Sequence, residues 1–214
     1  MLLHLNGVHG WIMQTAVLST DAGPFVRAFV AVEIDDAARD RLEGVIALLK
    51  KTNAHVAWVP AANLHLSLVF LGNVRQETIP LIATALDEAA RQVTCFAFDV
   101  VGLGWFGSER SPRVIWAGVR APEALGDLQS RVTANLKALG LAFDERPFRA
   151  HITLGRLRSP RGREQLLESL ASLRDREFGR VEATEIVLMK SRLLPQGAEY
   201  SVLHRARCQT GWGA

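Results

Sequence analysis

The alternation of apolar and polar positions begins at Phe25. From Arg27 to Ile34 the run RAFVAVEI has strand character, and Asp35-Asp36 then stands where a helix N-cap belongs, ahead of AARDRLEGVIALLKK with its helical spacing of apolar residues. HVAWVP and NLHLSLVFLG read as two short strands, with Pro60 and Asn63 marking the connection. QETIPLIATALDEAARQV returns to helical spacing. TCFAFDVVGLGWFG and PRVIWAGV read as an antiparallel pair joined through GSERSP, a turn-forming stretch containing Gly107, Ser108 and Pro112. A helix from about Glu123 to Leu139 follows, then the strand FRAHITLGRL and the helix REQLLESLASL. VEATEIVLMKSRLL and AEYSVLHRAR close the chain as a hairpin around Pro195-Gln196-Gly197.

Strands and helices alternate, but hairpins interrupt the alternation, so the pattern predicts an α+β fold with largely antiparallel sheets. A second regularity lies across the first. NLHLSLVFLGN in the first half and RAHITLGRL in the second are two copies of one pattern, an apolar strand carrying His-x-Ser/Thr-x. Such a repeat predicts two similar lobes facing each other across a cleft.

Strand parity says what each copy presents. His65 and Ser67 project together while Leu64, Leu66, Leu68 and Phe70 point the other way into a core. In the second copy Arg149, His151 and Thr153 share a face, opposite Ala150, Ile152 and Leu154. Paired lobes bring the two imidazoles together, an arrangement that suits in-line displacement at phosphorus, where one deprotonates the nucleophile and the other protonates the leaving oxygen. An ordinary imidazole pKa near 6.5 supplies both protonation states close to neutrality. This chemistry calls for no metal and no cofactor. The hydroxyls of Ser67 and Thr153 are placed to donate to nonbridging phosphate oxygens, and Arg156 to add positive charge. A lone His-x-Thr on an amphipathic strand reads as a solvent-facing histidine; two copies on matching strands do not.

Composition narrows the setting. The 214 residues are 49% hydrophobic and 22% charged, as in a globular protein. The 25 Lys and Arg outnumber the 22 Asp and Glu, for a formal charge of +3 and a pI near 9.2. That balance suits a polyanionic partner without requiring one. Two cysteines, Cys95 and Cys208, are too few for a disulfide scaffold and lack C-x-x-C spacing, which points to a reducing cytoplasm. The first 20 residues lack a basic region, and Asn6, Gly7, His9 and Gly10 interrupt their apolar run, so no signal peptide is predicted. No other apolar run approaches the roughly 20 residues that span a bilayer. Residues 1–24 read as an extension outside the fold, and 25–214 as a single bilobal domain.

The paired motifs resemble those of the 2H phosphoesterase superfamily, in particular the bacterial and archaeal RNA 2',3'-cyclic phosphodiesterases, historically called 2'-5' RNA ligases. The likeness also covers RAFVAVEI, AWVPAANLHLSLVFLGNV, SPRVIWAGV, RPFRAHITLGRL and SRLLPQGAEYSVLHRAR, spanning roughly Phe25 to Arg207. It implies two antiparallel sheets with flanking helices, related by a pseudo-twofold, with the active-site cleft between them. It also implies hydrolysis of a 2',3'-cyclic phosphodiester at an RNA end to a 2'-phosphomonoester. On that pattern His65 matches the proton donor to the departing 3'-oxygen and His151 the base that activates water. Ser67 and Thr153 match phosphate-binding positions. Arg156 matches a basic substrate-contacting position in some relatives, although strand parity puts it on the opposite face unless a strand end or bulge intervenes. Serine at 67, where threonine is commoner, keeps the donor and loses the methyl group that restrains χ1. A complete site within one chain predicts a monomer.

Other signals carry less. Gly102-Leu103-Gly104-Trp105-Phe106-Gly107 fits G-x-G-x-x-G, but a turn and a strand follow where a dinucleotide site needs a helix. No G-x-x-x-x-G-K-[ST] motif is present. His204 with Cys208, and His4 with His9, lack companion metal ligands at suitable spacing. His55 reads as ordinary. Trp58, Trp105 and Trp116 fit burial in sheets better than base stacking, Phe70 is ambiguous in the same way, and the RGRE run at 161–164 fits a solvated helix start as well as an RNA contact. Three functions stay open on the residues alone: an RNA-end cyclic phosphodiesterase, a phosphodiesterase or ligase for 2'-5' linked RNA or small cyclic nucleotides, and an RNA-binding module without turnover.

Overall fold

A computed structural model of the chain describes residues 24–143, 146–195 and 197–211. The predicted extension, except Pro24, therefore lies outside the described residues, together with His4, His9 and the turn residue Gln196. The elements run β1 (Phe25–Glu33), α1 (Asp36–Lys50), β2 (Val56–Trp58), β3 (His65–Arg75), α2 (Ile79–Ala90), β4 (Phe96–Ser108), β5 (Ser111–Arg120), α3 (Glu123–Ala138), β6 (His151–Leu157), α4 (Arg163–Ser172), β7 (Glu177–Ala183), β8 (Glu185–Leu194) and β9 (Gly197–Arg207). The cap expected on α1 is made: the Asp35 carboxylate accepts from the Ala38 amide at 2.7 Å. Beyond it Ala38, Leu42, Val45, Ile46 and Leu49 are buried at helical spacing.

The fold is α+β and bilobal. Its two antiparallel halves, however, are continuous rather than separate sheets. The strand order is β7-β4-β5-β6-β3-β1-β8-β9, with β2 also paired to β6. One half comprises β3, β1, β8 and β9, the other β6, β5, β4 and β7, and they join where Leu66 of β3 pairs with Ile152 of β6. Past that point the strands part. β2 then becomes the neighbour of β6, pairing Trp58 with Gly155 and Val56 with Leu157.

The run VEATEIVLMKSRLL, expected as one strand, is two. It breaks at Thr184, because β7 pairs with β4 in one half while β8 pairs with β1 in the other. The Thr184 carbonyl at the crossing accepts from the Cys208 amide at 2.8 Å. Hydrophobic alternation is blind to a change of partner, which is why the break was hidden. Similarly, β6 starts at His151, not at Phe148.

The main core lies between the helices and one face of the sheet. Leu42, Leu66, Leu86, Ile115, Leu128, Ile152 and Leu188 are among its fully buried members, and each such side chain contributes about 1.5–3 kcal/mol relative to exposure. A smaller cluster of Phe29, Ala31, Val187 and Met189, with Tyr200 packed on it, covers the opposite face of the first half.

Candidate active site

The two motif strands present their side chains in the same sequence of burial. His65 and Ser67 are half-buried, Leu66, Leu68 and Val69 are buried, and Phe70 is exposed. His151 and Thr153 are half-buried, Ile152, Leu154 and Gly155 are buried, and Arg156 is exposed. Both copies carry a β-bulge at the same place. The β1–β3 register passes from Ala31↔Ser67 to Val30↔Val69, leaving Leu68 without a counterpart. The β5–β6 register passes from Trp116↔Thr153 to Ile115↔Gly155, leaving Leu154 without one. One extra residue inverts the alternation.

That inversion relocates two side chains. Arg156 returns to the face of His151 and Thr153, so the bulge reconciles its position with strand parity. Phe70, expected in the core, occupies the equivalent place after the first motif and is 54% exposed. The site is thus asymmetric, with a cation following one motif and an aromatic ring following the other.

Both imidazoles are oriented by one device. The carbonyl two residues upstream accepts from Nδ1–H: Asn63 for His65 at 2.8 Å and Arg149 for His151 at 2.6 Å. Each ring is thereby held in the tautomer that leaves Nε2 as the acceptor. The Ser67 hydroxyl donates to His65 Nε2 at 2.9 Å. Because Leu66 pairs with Ile152 in antiparallel register, one residue to either side His65 is brought toward Thr153 and His151 toward Ser67. Each imidazole is therefore grouped with the hydroxyl of the other motif as well as its own.

Electrostatics ties the pair together. Burial pushes the His65 pKa below its ordinary value, and the nearby His151 pushes the same way, against the Asn63 carbonyl and Glu33. Burial also lowers His151, helped by Arg156 and opposed by the Arg149 carbonyl. Burial raises the Tyr200 phenol, while Arg156 and Arg27 pull it down, so Tyr200 lies within the field of both guanidiniums.

Aromatic rings wall the site, and the sequence reading had not singled out three of them. Phe29 stacks on His65 at 4.8 Å between centroids, and Tyr200 meets both rings edge-on, at 4.9 Å from Phe29 and 5.4 Å from His65. On the other side Phe106 meets His151 edge-on at 4.8 Å and leans on Trp116 at 5.5 Å. Phe29 is detectable in the sequence as a strand neighbour of Ala31. Tyr200 is the chain's single tyrosine, but its strand joins the site through β8, a pairing that no local pattern announces.

The remaining signals find structural explanations. Gly104 lies in β4, where an added Cβ would come within 2.4 Å of the Trp116 ring; at Gly102, with φ +75°, it would strike the Arg174 carbonyl oxygen at 2.1 Å. These glycines permit close packing inside a strand and open no helix. Trp58 and Trp105 pack on the main core. His204 Nε2 pairs with Asp87 at 2.9 Å, and Cys208 is buried, its thiol pushed up to about 11. His55 bonds Ser159 at 3.0 Å. In the RGRE run Gly162 precedes α4 in the left-handed region, and Arg163 donates to the Arg110 carbonyl at 3.0 Å. Among the described residues no group of three or more His, Cys, Asp or Glu is placed to hold a metal ion.

Comparison with known proteins agrees with this architecture. An RNA 2',3'-cyclic phosphodiesterase of Methanothermobacter thermautotrophicus is 34% identical over 176 residues, covering 82% of this chain and 95% of the relative. Its namesake in Thermotoga maritima is 32% identical over 189 residues, covering 87% and 97%. A solved structure from Thermus thermophilus superposes with a TM-score of 0.73 at 27% identity, covering 86% of this chain and 99% of that one. E. coli LigT in its apo form shares the fold at a TM-score of 0.70 and 24% identity, covering 88% and 100%. The family description "2'-5' RNA ligase superfamily" matches residues 28–193. With this match and these relatives, the chain belongs to the 2'-5' RNA ligase superfamily.

Proposed function

We propose that this protein is an RNA 2',3'-cyclic phosphodiesterase, hydrolysing a terminal cyclic phosphodiester to a 2'-phosphomonoester by two-histidine acid–base catalysis. The observation that carries the reading is the matched presentation of two imidazoles on bulged strands, each with Nδ1–H tied to a backbone carbonyl and Nε2 left as acceptor. The relatives' name supplies the substrate class.

In the reaction His151 accepts a proton from water as the water oxygen attacks phosphorus, the P–O3' bond breaks, and protonated His65 delivers its proton to the departing oxygen. The assignment of acid and base follows the family pattern. Ser67, Thr153 and Arg156 hold the nonbridging oxygens as charge builds on them; one preorganised donor of this kind is worth about 10²–10³ in rate. Both halves of the site come from one chain, so we take the monomer as the active unit and residues 25–214 as one bilobal domain. Two free thiols suit a reducing cytoplasm, and among the described residues no helix is long and apolar enough to cross a membrane.

The test is incubation with a short RNA ending in a 2',3'-cyclic phosphate, in EDTA, beside His65→Ala and His151→Ala. A 2'-phosphate product, lost in both variants, is expected. Turnover only of small cyclic nucleotides or 2'-5' linked RNA would move the assignment to those substrates, and RNA binding without any turnover would leave a binding module.

A further inference from the structure

A second polar groove lies beside the catalytic cleft. It is bounded by the start of β1, the end of β3 and the end of β8, encloses about 270 Å³, and is lined by Arg27, Asn73, Gln76, Ser191 and Arg192 with the ring of Phe25. Every one of these polar side chains offers a hydrogen-bond donor, and no carboxylate lines the groove. The nearest acid in sequence, Glu77, is already paired with Arg75 at 2.7 Å. Arg27 makes no ion pair or side-chain hydrogen bond with the described residues, leaving its guanidinium for an anion, whereas Arg192 stands on the other face of β8, across from Glu199.

The groove continues the site. Arg27 pairs with Asn73 across the strands, as Phe29 pairs with Phe70, so Arg27 follows on the same face of β1 from the ring stacked on His65. The Tyr200 ring meets Phe29 edge-on at 4.9 Å, and its phenol is within the field of Arg156 and of Arg27. Arg27 stands four residues along β1 from Ala31, the counterpart of Ser67, which is about 13 Å of strand. A phosphate bound at Arg27 is therefore a different one from the reacting phosphate. Phe70, 54% exposed, offers a ring face along the same path, and such faces stack bases without regard to sequence.

We infer that this groove is a second phosphate subsite, which takes an internucleotide phosphodiester upstream of the cyclic end and so selects polynucleotide over mononucleotide. The inference rests on the cyclic phosphodiesterase reading above. Its chemistry is recognition alone: Arg27 holds the phosphodiester oxygens, Asn73 and Ser191 add neutral donors from the same face of the sheet, and no bond is made or broken there.

The experiment compares a 2',3'-cyclic mononucleotide with a short oligoribonucleotide ending in the same cyclic phosphate, for the wild type, Arg27→Ala and Asn73→Ala, at several salt concentrations. Either variant is expected to raise KM for the oligonucleotide, Arg27→Ala about tenfold, and to leave mononucleotide kinetics unchanged; Arg27→Ala alone should reduce the salt slope by about one phosphate contact. Equal losses on both substrates, or no loss on the oligonucleotide, would overturn the subsite. Equilibrium binding of single-stranded RNA lacking a cyclic end keeps the two readings apart. If the wild type turns over neither substrate, the catalytic reading fails, while weaker RNA binding by Arg27→Ala supports the groove and equal binding overturns it.

Discussion

Leu66 and Ile152 pair across β3 and β6 where the two halves of the sheet meet, and each stands between the histidine and the hydroxyl of its own motif. Both side chains are fully buried. Truncating either to alanine is expected to cost about 2–5 kcal/mol in a urea titration. It should also lower kcat more than Leu128→Ala, a fully buried core truncation in α3, because only the junction sets how the two imidazoles approach. Equal kcat losses at matched destabilisation would remove the junction's role in spacing the histidines.

The junction also shows where sequence reading succeeds and stops. The period-2 alternation around His65 and His151 was legible because a buried leucine or isoleucine alternates with each polar group, and the duplication made the pair stand out. The bulges were not legible, since Leu68-Val69 and Leu154-Gly155 look like ordinary strand interior; Phe70 was therefore read onto the core face and Arg156 needed an unseen irregularity. Tyr200 and Phe106 were out of reach for another reason. Their proximity to the histidines depends on which strands are neighbours, and that choice is made by the whole sheet rather than by any local stretch.

The depressed histidines predict an acid-shifted pH profile. With both pKa values below the ordinary 6.5, mainly through burial, the form with one imidazole protonated and the other neutral is most populated on the acid side of 6.5. The kcat/KM optimum of the wild type is expected there, falling as pH rises toward neutrality. Bound anionic phosphate favours the protonated rings, so the kcat optimum should lie at higher pH than that of kcat/KM. Arg156→Gln removes a cation that lowers His151 and should move the kcat/KM optimum upward. A wild-type kcat/KM optimum above pH 7 would contradict the assignment.

The Ser67 hydroxyl donates to His65 Nε2, whereas the Thr153 hydroxyl makes no hydrogen bond with the described residues. Substrate therefore has to draw the serine hydroxyl away from the imidazole. Ser67→Thr, which keeps the hydroxyl and narrows χ1, is expected to preserve kcat within a few-fold. Ser67→Ala should lower it by about 10²–10³. Steady-state kinetics on one cyclic substrate separate these outcomes, and an active Ser67→Ala would show that the hydroxyl does not reach the phosphate.

His204 supplies a control within the same fold. Its ring pairs with Asp87 of α2 at 2.9 Å, both side chains about one-third exposed, so the pair ties β9 to the helix and lies outside the two His-x-Ser/Thr motifs. His204→Ala should cost no more than about 1 kcal/mol, given solvent screening. Its kcat and pH profile should match the wild type, and a pH profile altered like that of a catalytic variant would place His204 in the chemistry.

Gly155 lies in the second bulge, next to Arg156, and lets β2 pack closely on β6 there. An added Cβ would come within 2.6 Å of Val56 Cγ1 and 2.9 Å of the Trp58 ring, both on β2, the strand that pairs with β6 past the junction. Gly155→Ala must therefore displace β2 or flatten the bulge, at about 1–3 kcal/mol of overpacking. Flattening would restore simple alternation and turn Arg156 away from His151 and Thr153. The variant is then expected to behave as Arg156→Ala does, with a raised KM and with His151 released from the guanidinium. Displacement of β2 alone would lower stability and leave both KM and the pH profile intact. Thermal denaturation beside a kcat/KM pH series distinguishes the two, and the second result would mean that the bulge holds Arg156 without needing the glycine.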